Sequence, residues 1–476
     1  MTFVKSIVII LNPYLVFDFS LLNFTIKPPK LKKMKKITLS LLFFLMNWTI
    51  ITAQTYTPTE GNLKARKEFQ DDKFGMFIHF GPYSVLGNGE WIMTNQNIKV
   101  TEYGRLLNVF NPQDFDAKKW VGIAKAAGMK YITFTTRHHD GFSNFDTKLS
   151  DWKITNTHFK RDLLKELADE CHKEGIKLFC YYSLLDWTRT DYQYETGKTG
   201  QGTGRTKKSD WNSYIAFMKG QLTELLTNYG EISGIWFDGH WDQLDNDTDK
   251  TLTSKVNWHY DEIYKLIHSI QPNCLISNNH HLTPIQGEDF QAFEKDLPGG
   301  NTSGFGGQSI SQLPLETCET MNNSWGFNIN DRKYKSTKDL LHYLINAASL
   351  NANFLLNVGP MADGTIQPEF VATLKEIGIW MDKNGNSIYG TRGNVMPLQD
   401  WGVFTAKDKT WFAHIIKTPK QAEYIFIPEM KQKIKKCYLM DSKKELKFKQ
   451  QPEGTFVYLD GVKMDAIDTI VEMQIQ

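Results

Sequence analysis

A (β/α)₈-type barrel followed by a C-terminal β-sandwich is the fold class this sequence predicts, on three observations. From Lys73 onward, short apolar runs alternate with amphipathic segments of helical period, the rhythm of parallel strands covered by crossover helices. At least six strand candidates fall within residues 75–359, and no GxGxxG follows the first of them. That favours a closed barrel over a doubly wound open sheet. After Arg392 the long helical segments stop and short alternating runs take their place, as in a small sandwich.

The elements follow in order. GMFIHFG (75–81) reads as a strand, and DFDAKKWVGIAKAAG (114–128) as a helix stopped at Gly128. KYITFTTRHH (130–139) is rich in β-branched residues and reads as a strand. RDLLKELADECHKEG (161–175) is an amphipathic helix closed by Gly175, and IKLFCYYS (176–183) is the next strand. The segment 209–230 reads as a helix capped by Ser209 and stopped at Gly230, followed by the strand ISGIWFDG (232–239). Helix 255–272 and strand CLISNN (274–279) come next, then helix 337–350 and strand NFLLNVG (353–359). Two stretches, 188–209 and 298–312, are rich in Gly, Thr or Ser and read as mobile rims over a site, with plain disordered surface loops as the alternative.

Hydrophobic residues make up 41% and charged residues 23% of the 476, enough for a large core and a solvated surface, which excludes disorder for most of the chain. The net charge of +2 argues against a nucleic-acid binder that relies on bulk charge. Residues 1–54 hold seven lysines and one aspartate, +6, so the remainder carries −4. Within that leader, Met34-Lys35-Lys36 precedes the apolar ITLSLLFFLMNWTII and then Thr52-Ala53-Gln54. A short basic region, an apolar run of about 15 residues and a small residue make a secretory signal. The run falls short of the roughly 20 residues of a membrane span. Met34 is the expected start, a signal anchor is the alternative, and the expected location is secreted or periplasmic. The domains expected are thus 1–54 (leader), 55–392 (barrel) and 393–476 (sandwich). The five cysteines lack the count and spacing of a disulfide framework or a zinc site.

In a β/α barrel the chemistry sits at the carboxyl ends of the strands. His79, His138, His139, Tyr182, Asp238 and Asn357 end strand candidates, and Asn278, Asn279, His280 and His281 follow another. One polar strand end carries no argument, but six converging at one rim are hard to explain as packing. Asp238, after Ile235-Trp236-Phe237 and before Gly239, reads as catalytic, with Trp236 and Trp241 beside it. A helix cap is its ordinary alternative. Adjacent His138 and His139 would point to opposite faces of a strand, so hydrogen bonding to hydroxyls suits them better than sharing a metal. Gly89-Glu90-Trp91 places a hydroxyl acceptor beside an apolar platform.

At these residues the chain resembles the α-L-fucosidases of glycoside hydrolase family 29. The matching stretches include FGMFIHFGPYSV (74–85), GEW (89–91), TTRHHDGF (135–142), YYSLLDW (181–187), GIWFDG (234–239), ETCETMNNSWGF (316–327) and NFLLNVGPMADGTI (353–366), in the family's order. The resemblance implies a catalytic barrel with a C-terminal β-sandwich and hydrolysis of terminal α-L-fucose with retention, without metal or cofactor. It implies Asp238 as nucleophile and His79, Glu90, Trp91, His138, His139 and Tyr182 as fucose contacts, with Trp236 lining the same pocket. The spacing Asp289-Phe290…Glu294…Pro298 matches the family's acid/base context and favours Glu294, with Glu288 as the alternative. The family's Arg after the fifth strand is replaced by the run Asn278-Asn279-His280-His281. His280 in that place would exchange a fixed charge for a titratable one. The expected partners are fucosylated glycans, not nucleic acid, with no stable membrane insertion after signal cleavage; the sequence leaves room for a homo-oligomer. An exo-glycosidase for a related sugar and a non-catalytic glycan-binding protein are the competing functions.

Overall fold

The computed structural model describes residues 56–245, 253–421 and 423–476; the leader lies outside them. Eight parallel strands form one sheet: β1 Phe74–Ile78, β2 Tyr131–Arg137, β3 Lys177–Ser183, β4 Gly234–Asp238, β5 Leu275–Asn278, β6 Gln291–Glu294, β7 Leu315–Thr320 and β8 Ala352–Val358. Their order is β5-β4-β3-β2-β1-β8-β7-β6, so the sheet curls into a barrel with β5 and β6 as its two edges. Strands β6 and β7 were not among the sequence expectations. Each is short and carries a glutamate toward the cavity or the barrel interior, so neither has an apolar signature.

An aspartate closes the gap between the edges. Just ahead of β6, the backbone N–H of Asp289 donates to the Ile276 carbonyl at 2.7 Å, and the Ile276 N–H donates to Asp289 Oδ2 at 2.8 Å. The carboxylate stands in for a ladder carbonyl. Arg66 donates to it at 2.6 Å, and His268 Nε2 lies 2.9 Å away. A buried carboxylate needs partners of this kind to offset its desolvation.

The crossover helices form for local reasons. Leu163–Glu174 buries Leu163, Leu164, Leu167, Ala168 and Cys171 on one stripe, starts on the Asp162 cap and ends on Gly175 at φ 68°. Each buried leucine contributes about 1.5–3 kcal/mol. Trp211–Asn228 is capped by Asp210, not by Ser209 as the sequence suggested. The Ser209 hydroxyl instead donates to Gln193. The helix expected from residue 255 begins at Tyr260, because His259 adopts φ 53°.

Interior positions of the barrel are large and aromatic. Phe77, Tyr131, Phe179, Tyr181, Trp236 and Phe290 pack with Cys318 and Leu355 into one cluster. The strand registers set these layers: Tyr181 pairs with Trp236, and Ser183 with Asp238. The rim segments are pinned from within. The Asp242 carboxylate accepts from Tyr192 Oη, Lys198 N and Thr199 N at 2.6, 3.0 and 2.8 Å, holding 188–209.

Beyond Arg392, a four-stranded antiparallel sheet is built from β9 Gly402–Lys407, β10 Thr410–Ile415, β12 Ile434–Leu439 and β15 Thr469–Ile475. A three-stranded sheet combines β11 Tyr424–Pro428, β13 Phe448–Gln451 and β14 Gly454–Tyr458. Both contribute to a separate apolar core that includes Trp401, Phe404, Ile425, Val457 and Met473. Val403, Phe412 and Ile470 join the barrel's outer core instead, which seats the sandwich on the barrel.

Candidate active site

At the carboxyl ends of the strands lies a cavity of ≈ 400 Å³ whose lining includes Asp238, Glu294, Glu90, Trp91, His79, His138, His139 and Trp236. Its inner wall is aromatic: Trp236 stacks on Tyr181 at 5.6 Å, and Phe77 meets Trp236 and Trp325 edge-on at 5.4 and 5.9 Å.

Asp238 ends β4, and Gly239 turns the chain away at φ 104°, where a Cβ would lie 3.0 Å from Leu185. The Asp238 carboxylate accepts from Tyr181 Oη at 2.9 Å, Gly239 N at 2.8 Å and Trp241 Nε1 at 3.2 Å. The Asn279 amide nitrogen reaches both carboxyls, 3.4 Å from Asp238 Oδ1 and 2.8 Å from Glu294 Oε2. Four donors therefore converge on Asp238, whereas Asn279 is the single donor to Glu294 among the described residues. Burial raises both carboxyls above their ordinary range, and the nearby Glu294 charge adds to the rise at Asp238.

The histidines are oriented by their other ring nitrogens. Asn357 donates its amide to the Trp325 carbonyl at 2.7 Å, so its oxygen accepts from His79 Nδ1 at 2.7 Å. That assignment leaves His79 Nε2 as an acceptor. The Ser183 hydroxyl donates to Leu185 O, so His139 Nδ1 donates to Ser183 Oγ at 2.7 Å, and His139 Nε2 faces Asp238 Oδ2 at 3.5 Å. Burial lowers His79 to about 3 and holds His138 and His139 well below the usual histidine range, so all three are neutral at pH 7. His138 and His139 do not point to opposite faces. Both lie past the end of β2, their rings 4.2 Å apart, and both line the cavity. Glu90 accepts from the Gly326 backbone at 2.7 Å, an approach a Cβ at Gly326 would obstruct at 3.0 Å from Glu90 N.

A search with family models matches residues 44–386 to the model described as Alpha-L-fucosidase. The chain belongs to the α-L-fucosidase family. This is a family of glycoside hydrolases. Among solved structures, α-L-fucosidase isoenzyme 1 from Paenibacillus thiaminolyticus is 35% identical with a TM-score of 0.77, covering 87% of this chain and 100% of that one. An α-L-fucosidase from Bacteroides thetaiotaomicron is 25% identical with a TM-score of 0.75, covering 87% of this chain and 96% of that one. Among curated relatives, the α-L-fucosidase of Dictyostelium discoideum is 28% identical over 81% of this chain and 86% of its own length.

Three residues expected at the site from resemblance to the α-L-fucosidases fall outside the cavity. Tyr182 points away: its hydroxyl donates to Gln221 at 2.8 Å inside the outer core, and Tyr181 takes the inward place. Strand alternation decides this, since Tyr181 pairs with inward-facing Trp236. His280 and Glu288 satisfy each other instead. Leu282 N donates to His280 Nδ1, so His280 Nε2 donates to Glu288 at 3.0 Å, and Tyr264 Oη donates to the same oxygen at 3.0 Å. Both are buried away from the cavity lining. His281 enters it instead, because its backbone at φ 59° breaks the alternation. Its Nε2 lies 3.7 Å from Glu294 Oε2.

The sequence placed Asn279 and His281 at the rim without a specific role, and did not single out Phe77, Tyr181, Lys198, Lys295, Phe305, Cys318 or Trp325 for the site, all in the lining. Counting alternate residues back from Asp238 to Trp236, and aligning the neighbouring strand, was the signal available for Tyr181. Phe305 lies in the Gly- and Ser-rich stretch 298–312 read as a rim, but nothing in that stretch singled out its ring.

Proposed function

We propose that this chain is a retaining, exo-acting α-L-fucosidase that removes terminal α-L-fucose from glycans by double displacement, with Asp238 as nucleophile and Glu294 as acid/base. The observation that carries the reading is the Asn279 amide shared by the two carboxyls. One nitrogen 3.4 and 2.8 Å from two oxygens leaves them no more than about 6 Å apart, short of the roughly 6.5–9.5 Å that inverting pairs keep for a water.

The two carboxyls suit different roles. They share one environment, so the first charge goes where donors stabilise it, and four donors favour Asp238. Once Asp238 is charged, repulsion and burial keep Glu294 protonated to higher pH. The Asp238 carboxylate attacks the anomeric carbon while the glycosidic C–O bond breaks and its oxygen takes the Glu294 proton. The Glu294 carboxylate then removes a proton from water. That oxygen bonds the anomeric carbon and the ester bond to Asp238 breaks, restoring both groups. Support also comes from the Bacteroides thetaiotaomicron relative, whose structure is of a trapped covalent intermediate in complex with 2-fluoro-fucosyl fluoride.

Neutral His79, His138 and His139 with Glu90 offer acceptors and donors for sugar hydroxyls, and His138 Nδ1 has no protein partner among the described residues. The aromatic wall of Phe77, Trp236 and Trp325 suits a C5 methyl. Export to the periplasm or medium rests on the basic-then-apolar segment 34–54. No helix among the described residues is long and apolar enough to cross a membrane.

Hydrolysis of an aryl α-L-fucoside followed by proton NMR tests the mechanism: the first-formed product is α-L-fucose, and first-formed β-L-fucose would overturn retention. Tyr181 and Tyr182 also separate by mutation. Tyr181→Phe removes a hydrogen bond to the charged form of Asp238, so kcat/KM falls about 10- to 100-fold. The acid limb of the pH profile moves to higher pH, because a carboxyl that loses a donor ionises later. Tyr182→Phe leaves that limb in place, and a shift in both variants would count against the assignment.

A further inference from the structure

We infer that Phe305 and His281 form a prebuilt platform for the sugar that carries the fucose, a leaving-group subsite for a pyranoside with an apolar C–H face. The inference rests on the roles proposed for Asp238 and Glu294.

A general acid must stand beside the glycosidic oxygen, so the leaving group lies on the Glu294 side of the cavity. Two stacked rings stand on that side. His281 Nε2 is 3.7 Å from Glu294, and the Phe305 ring stacks on the His281 ring at 5.6 Å with planes 27° apart. Phe305 lines the cavity, yet it is 43% exposed. A ring left that open beside an acid/base has surface to give to a ligand. The inner wall of Phe77, Trp236 and Trp325 sits deeper, as suits the terminal sugar of an exo-enzyme.

The platform is held in place by the protein itself. Asp296, two residues beyond Glu294, gathers the Gly-rich loop on its carboxylate. Thr302 donates through its N–H and hydroxyl at 2.7 Å each, the Ser303 N–H at 3.0 Å and the Gly306 N–H at 3.1 Å, and the Ser303 hydroxyl donates as well. Gly306 passes so close to the Gly300 carbonyl that a Cβ would lie 2.1 Å from it. The Phe305 carbonyl then accepts from His281 Nδ1 at 3.0 Å. The circuit Glu294–Asp296–loop–Phe305–His281–Glu294 is closed, so little side-chain entropy is lost when a sugar stacks on it. A stretch of sequence that reads as a mobile rim is thereby a fixed wall.

The test compares two substrates in one protein. α-L-Fucosyl fluoride carries no leaving sugar, whereas α-L-fucosyl-(1→2), (1→3), (1→4) and (1→6) disaccharides do. For Phe305→Ala, the ratio of kcat/KM on the best-cleaved disaccharide to kcat/KM on the fluoride falls about 10- to 30-fold, the loss expected from one aromatic face. Phe305→Trp restores most of it. A ratio within threefold of wild type in Phe305→Ala overturns the platform, as does wild-type cleavage of the fluoride but of none of the disaccharides. Wild-type protein that hydrolyses neither the fluoride nor any disaccharide instead removes the fucosidase reading on which the platform depends.

Discussion

An Asp238→Ala variant loses about 10⁴-fold or more of kcat on an aryl α-L-fucoside, and added azide returns part of that turnover as β-L-fucosyl azide. The size of the loss follows from what the carboxylate does. In the proposed mechanism it forms the bond to the anomeric carbon that divides one difficult displacement into two easier ones. Every donor around it (Tyr181 Oη, Gly239 N, Trp241 Nε1 and Asn279 Nδ2) is arranged for that charge. Truncation to Ala leaves a hole on the face opposite the leaving group, where a small anion can enter. Azide attacks from that face while Glu294 still protonates the departing oxygen, so the α-linked substrate gives the β-azide. Recovery of α-azide, or activity retained in the variant, would place the nucleophile elsewhere.

Glu294→Gln separates substrates by their leaving groups. A natural glycan needs a proton on its departing oxygen and loses about 10²–10⁴-fold, the usual worth of general acid catalysis. An aryl fucoside with an acidic phenol departs without that proton, so its first step falls far less. The pH profile of kcat/KM on an aryl fucoside with a weakly acidic phenol, which still needs that proton, carries the sign. Activity rises as Asp238 ionises and, in the wild type, falls as Glu294 loses the proton it must donate. Burial raises both groups. In Glu294→Gln the alkaline limb disappears and the acid limb stays, because Asp238 takes the first charge while Glu294 is still neutral. An alkaline limb that survives would assign the acid to another group, and Glu288, tied to Tyr264 and His280, is the first to test.

Much of this was legible before any coordinates. Asp238 stands out because a carboxylate at the end of an apolar strand has no packing reason to be there, and Glu294 because its spacing from Asp289 and Pro298 is a family pattern. Two of the three misplaced residues share one cause. Tyr182 and His280 were chosen as strand ends, and a strand end one residue off places a side chain on the opposite face. Tyr181 follows from register with β4, and His281 from a left-handed backbone. The left-handed backbone leaves no mark in the residues themselves.

The sequence by itself determined the alternation of most strands with helices and the change to all-β structure after Arg392, and it nominated Asp238 together with Glu294 or Glu288. These depend on periodicity, on residue types that are costly to bury without purpose and, for Glu294, on a family pattern of spacing. Only the tertiary structure decided that two glutamate-bearing segments, Gln291–Glu294 and Leu315–Thr320, are barrel strands. Only it showed that Asp289 takes the place of a ladder between the barrel's edges, and that one amide joins Asp238 to Glu294. The reason is physical. Amphipathic period is written along the chain, whereas the side a residue faces and the group it meets are set by the neighbouring strand, loop or turn that packs against it.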